Sequence, residues 1–247
     1  MSTTRTLGAL AILWALAVAA PLRAEVNEAQ LRTRLLHSTA LVIAGDLSGT
    51  GFVVDRDRNL MVTNYHVVEE KQTVRVVFPH YRKDKLIDDR SFYFQNARDF
   101  GIVAQVLKRD AKHDLAVLQV ERLPRGIQAL TPAAGTLAGG ETIFRLGSAA
   151  AIGETWKLTG AAVVTVGPRC LNYDSSKQKV EAVMITNDGP NRPGDSGGPV
   201  VNEKGELVGV HAAFANREEK SCAIAVRELR EFLKDTMIAK PQAADEL

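Results

Sequence analysis

Net charge is nearly absent from this 247-residue chain. Its 31 lysines and arginines stand against 29 aspartates and glutamates, a formal charge of +2, so no electrostatic case for a nucleic-acid partner arises. The apolar run near the start, Leu7 to Ala20, falls short of the roughly 20 residues that span a bilayer. Aromatics are only 6% of the chain against 45% hydrophobic residues, which at this length still supplies the core of one all-β unit in two halves. Cysteine is scarce as well, with only Cys170 and Cys222.

What the first residues do contain is a processing signal. Met1 to Arg5 is a positive leading segment, Leu7 to Ala20 the apolar stretch, and Leu22-Arg23-Ala24 a small-residue cleavage site before Glu25. Residues 1–24 are therefore expected to direct export to the periplasm or out of the cell, with no stable membrane span once removed. In an oxidising compartment an even pair of cysteines favours a disulfide, and closing the chain from Cys170 to Cys222 would stabilise the fold by about 4 kcal/mol on the chain-entropy model. Two separate buried thiols are the alternative.

Three short segments carry the chemistry. Thr63-Asn64-Tyr65-His66 comes first, then His113-Asp114-Leu115-Ala116-Val117-Leu118, then Gly194-Asp195-Ser196-Gly197-Gly198-Pro199. A serine hydroxyl is a poor nucleophile at neutral pH, so Ser196 needs a base such as His66, and a buried carboxylate, Asp114, to orient the imidazole. The glycines let backbone N–H groups, here those of Gly194 and Ser196, converge on a developing oxyanion. Gly-Asp-Ser-Gly alone is also a common turn; it is the joint occurrence of all three segments that points to catalysis. An α/β-hydrolase elbow is excluded by order, because those enzymes place the acid and then the histidine after the serine. Here the only later histidine, His211, lies in an alternating apolar strand.

Elsewhere the pattern is of short strands. Asn27 to Leu36 has helical spacing, Ala40 to Ala44 begins a strand run, and Val74 to Phe78 and Ile102 to Leu107 alternate as half-buried strands. His80 to Gly101, with Tyr81, Phe92, Tyr93 and Phe94, reads as a solvated hairpin or else as a border of the substrate cleft. Leu123 to Pro132 is the expected link between two barrels, about 38–122 and about 133–225, inside a domain of 25–238. Val226, Leu229, Phe232 and Leu233 share one face of an amphipathic helix of about 226–236, and 239–247 is a polar tail expected to be mobile.

The three segments, together with Ser48 to Val54, Gly140 to Gly147 and Val201 to Val210, resemble chymotrypsin-type peptidases, most of all the bacterial HtrA/DegP-like ones. The resemblance implies an all-β fold of two six-stranded antiparallel barrels with a C-terminal helix. It implies an exported serine endopeptidase acting on proteins or peptides, needing no metal or organic cofactor. No residues remain for the PDZ domain that HtrA proteins carry, and oligomeric state is left open. Two other readings stay in play: a catalytically silent homologue serving as a binding module, and an esterase on the same barrels.

Three departures from the family matter. A hydroxyl residue that supports the triad aspartate in many relatives is matched by Ala212. Asp195 precedes the serine as in trypsin, yet the chain has no Arg-Ile-Val-Gly-Gly activation site, so its partner would be an internal Arg or Lys, if any. The wall of the primary pocket matches His211-Ala212-Ala213-Phe214, where the bulk of Phe214 would favour small aliphatic side chains. Asp188, eight residues before Ser196, is the rival determinant and would favour basic ones.

Overall fold

The computed structural model describes residues 26–148, 153, 155–172, 178–212 and 221–238; the expected leader and polar tail lie outside them. Asn27 starts the first helix, α1 (Glu28–Leu36), its side chain accepting from the Gln30 N–H, and Glu28 suits the positive end of the helix. Leu31, Leu35 and Leu36 turn inward, and the chain then enters β1 (Thr39–Ala44).

Strands β1, β2 (Leu47–Asp55), β3 (Leu60–Thr63), β4 (Thr73–Val77), β7 (Ile102–Asp110) and β8 (Leu115–Val120) close into a barrel in the order β1-β2-β3-β8-β7-β4. Strands β9 (Thr142–Gly147), β10 (Lys157–Asn172), β11 (Lys179–Asn187), β12 (Pro199–Asn202), β13 (Leu207–Ala212) and β14 (Ser221–Ala225) close a second in the order β10-β11-β14-β13-β12-β9. Every pairing is antiparallel. Closure leaves neither sheet with a free edge. The fold is the two-barrel, all-β one that the resemblance implies. Helix α5 (Val226–Ile238) follows β14 and buries Val226, Leu229, Phe232 and Leu233.

Two expectations need correction. The segment from His80 to Gly101 is not a solvated hairpin: it holds a small hairpin, β5 (Tyr81–Arg82) with β6 (Lys85–Leu86), and two short helices, α3 (Arg90–Gln95) and α4 (Ala97–Phe100). Tyr93 is fully buried, its hydroxyl donating to the Ile87 carbonyl at 2.7 Å and its ring lying edge-on to Trp156 at 5.3 Å. Arg90 reaches Ser48 Oγ of the first barrel at 2.8 Å and Ser148 Oγ, just past β9, at 2.9 Å. The insert thus ties the two barrels together.

Cys170 and Cys222 are not bridged to each other; the first is exposed and the second buried. The register explains why. Cys170 pairs with Glu181 and Cys222 with Thr186, on opposite sides of β11. Those partners are five residues apart along one strand, roughly 16 Å at about 3.3 Å per residue, whereas a disulfide needs Cα atoms within about 7 Å.

Candidate active site

Strand β3 delivers Asn64, in extended conformation, as the N-cap of the one-turn helix α2 (Tyr65–Val68), which carries His66. Asp114 stands just before β8 in the left-handed region, at φ +55°, which aspartate tolerates better than most residues. The buried Asn64 amide donates to the Asp114 carbonyl at 2.8 Å and holds it there. So placed, the buried Asp114 carboxylate receives His66 Nδ1 at 2.9 and 3.1 Å and the His66 backbone N–H at 3.0 Å. One carboxylate thereby fixes both the ring and the backbone of the histidine.

Ser196 comes from the second barrel, in the turn before β12. Its carbonyl accepts from the Thr50 N–H at 2.7 Å, and Thr50 Oγ1 donates to the Gly194 carbonyl at 2.9 Å. Thr63 Oγ1 holds the Thr50 carbonyl at 2.7 Å. Gly197, at φ +82°, packs where a Cβ would overlap the Thr50 carbonyl and Thr63 Oγ1, so this close approach of the two barrels requires glycine. The serine turn is therefore seated on the residues that lead into His66. Ahead of it, the Asp195 N–H bonds the Arg192 carbonyl at 3.2 Å across Pro193 and Gly194, the latter at φ +97°. Proline second and a positive-φ glycine third make a type II turn, which sets the orientation of the peptide carrying the Gly194 N–H.

A family model described as Trypsin-like peptidase domain matches residues 49–210, a span that takes in all three segments. The chain belongs to that family. Among curated relatives it is similar to the periplasmic serine endoprotease DegP of Escherichia coli K12, 29% identical over 67% of this chain and 30% of the relative. It is also similar to the human serine protease HTRA4, 30% identical over 85% of this chain and 39% of the relative. The chain thus spans well under half the length of either. Among solved structures, the active form of the Rv3671c protease from M. tuberculosis matches in fold with a TM-score of 0.66 at 24% identity, covering 97% of each chain.

Within this trypsin-like frame the partner of Asp195 is Arg145, on β9. Both side chains are 4% exposed, with Nε 3.4 Å from Oδ2; Arg145 also donates to the Pro190 carbonyl and, at 3.2 Å, to Ser221 Oγ. Burial pushes the Asp195 carboxyl up, and Arg145, Arg192 and Arg90 pull it back down. Gly147 makes the space, since a Cβ there would fall on the Asp195 carboxylate.

Ala212 itself carries no hydroxyl to offer Asp114. Gln178, just before β11, brings Nε2 to 3.5 Å from Asp114 Oδ1 while holding the Ala111 carbonyl at 2.9 Å. Among the pocket residues, Ala212 is fully buried on β13, while Ala213 and Phe214 lie outside the described residues. Asp188 is exposed, its Oδ1 accepting from the Ala162 N–H at 2.7 Å; it does not join the buried cluster.

Thr50, Arg145 and Gln178 are the site residues that sequence reasoning missed. Thr50 left a trace as the threonine between Gly49 and Gly51, where a Cβ on Gly49 would meet Val67 and the Ser196 carbonyl, and Arg145 only as the internal Arg or Lys that Asp195 calls for.

Proposed function

We propose that this chain is an exported serine endopeptidase working through an acyl-enzyme. His66 takes the Ser196 proton as the hydroxyl attacks the scissile carbonyl and returns it to the leaving amine. Asp114 keeps the Nδ1–H tautomer and stabilises the imidazolium. The Gly194 and Ser196 amides receive the oxyanion, and water then frees the acyl group by the same steps in reverse order. The carrying observation is the His66 ring held by the buried Asp114 carboxylate at 2.9 and 3.1 Å, beside a serine turn braced by Thr50. Export rests on residues 1–24 and on the periplasmic location in the DegP relative's name.

A fluorophosphonate probe tests this, because it labels only an activated serine. Labelling of the wild-type chain that is lost in Ser196→Ala supports the reading, and an unlabelled wild-type chain identifies a silent homologue. Paired peptide and ester substrates separate peptidase from esterase.

Gln178 gives a smaller, graded effect. Its contact with Asp114 comes where Ala212 offers no hydroxyl, and a typical hydrogen bond is worth about 1 kcal/mol net. Gln178→Ala is expected to lower kcat about 3- to 10-fold with KM little changed. Glutamate at that position, which sets a second carboxylate against Asp114, should lower it further; equal rates for all three chains would remove Gln178 from the site.

A further inference from the structure

Thr50 grips the serine turn at the two residues whose N–H groups are the proposed oxyanion donors: its own N–H holds the Ser196 carbonyl and its hydroxyl the Gly194 carbonyl. A hydroxyl has one proton to give and rotates to suit its surroundings. This one is fixed by what it accepts, the N–H of the fully buried Ser148 at 3.2 Å. Whatever holds Ser148 therefore holds the aim of the Gly194 peptide.

Arg90, in the insert between β4 and β7, does so. One Nη donates to Ser148 Oγ at 2.9 Å and to the Ser148 carbonyl at 3.3 Å, and the other donates to Ser48 Oγ at 2.8 Å. Ser48 lies on β2 two residues ahead of Thr50, so one planar fork ties the strand that carries Thr50 to the residue that orients its hydroxyl. The insert keeps that fork in place. Two residues before Arg90, the Asp88 carbonyl accepts from the Thr155 N–H and Oγ1 at 2.8 and 3.1 Å. Three residues after it, Tyr93 is buried against Trp156, and the centre of the Phe94 ring lies 4.6 Å from the guanidinium carbon. Arg90 also lends its charge to Asp195.

Resting on the endopeptidase reading above, we propose that Arg90 is a positioning residue: through Ser148, Ser48 and Thr50, the insert holds the Gly194 and Ser196 N–H groups aimed at the oxyanion. Its effect falls on those donors and not on the base. Donors in a preorganised site act only where they point, and a small error of placement lowers the rate steeply while substrate still binds.

The test uses the whole chain after removal of residues 1–24 and an alkyl fluorophosphonate. In that reaction the Oγ–P bond forms as the P–F bond breaks, fluoride leaves, His66 takes the hydroxyl proton and the phosphoryl oxygen fills the oxyanion site. The endpoint counts competent serines, and the maximal rate, kinact, reads the donors. Arg90→Ala is expected to reach the wild-type endpoint with kinact about 10- to 100-fold lower, KI little changed and the pH midpoint of labelling unmoved. Arg90→Lys keeps the charge beside Asp195 and lacks the fork, so it should label nearly as slowly. Ser48→Ala combined with Ser148→Ala leaves the arginine and removes its two hydroxyl partners; it should slow labelling in the same way, and it decides should Arg90→Ala not fold. An arginine that only supports the fold would lower the endpoint and leave the rate of the remaining sites alone. That result, or wild-type kinact in Arg90→Ala, in Arg90→Lys or in the double serine variant, overturns the proposal and leaves the endopeptidase reading standing. A wild-type chain that fails to label overturns both.

Discussion

Ser196→Ala is expected to lower kcat by a factor on the order of 10⁴ to 10⁶, with KM and the unfolding midpoint close to wild type. The magnitude follows from how the site works as a unit. Without the hydroxyl, the proton acceptor at His66 has nothing to activate, and what remains is the residual rate from the oxyanion donors and substrate positioning. The fold should be indifferent: the serine turn is anchored by its backbone, through the Ser196 carbonyl to Thr50 and the Gly194 carbonyl to Thr50 Oγ1, and alanine keeps both bonds. Hydrolysis measured on protein free of other peptidases, together with urea unfolding, checks both halves. A variant retaining more than about one hundredth of wild-type kcat would take the nucleophile away from Ser196.

The three segments that lead to this expectation were legible in the chain because each packs its chemistry into a few consecutive residues. His66 follows a strand, Asp114 opens one, and Ser196 sits among glycines whose freedom the turn requires. The barrels were legible from alternation, and α5 from the spacing of Val226, Leu229, Phe232 and Leu233. What escaped notice is long-range. Arg145 and Asp195 are 50 positions apart, Thr50 and Gly194 are 144 apart, and Gln178 and Asp114 are 64 apart, and no local pattern announces such pairs. The cysteines misled for a related reason: an even count speaks of redox compartment and not of register, and on this sheet register keeps them five positions apart along β11. The insert misled because Tyr93 and Arg90 read as surface residues until Trp156 and Ser148 are folded against them.

Arg145 is where the largest stability effect is expected. Its guanidinium compensates a carboxylate that the serine turn buries, and removing one partner of such a pair costs about 3–5 kcal/mol because a buried charge is left behind. Arg145→Met keeps length and apolar volume, so packing loss is small and the electrostatic part dominates. The sign with pH follows from the direction of the Asp195 shift. Burial already raises that carboxyl above its ordinary value near 3.8, and without Arg145 it rises further. A group raised in the folded state is carried without charge, and without penalty, below its unfolded value, and its ionisation costs stability as pH climbs through the folded one. The deficit of Arg145→Met in urea unfolding should therefore be small near pH 4 and grow to its full size by about pH 8. Asp195→Asn added to Arg145→Met should recover most of the loss at pH 8, because no ion is then buried and the amide demands far less than a carboxylate. A deficit independent of pH, or a double variant no better than the single one, would mean that Arg145 acts through packing and through its bonds to Pro190 and Ser221, and that Asp195 finds its compensation in Arg192 and Arg90.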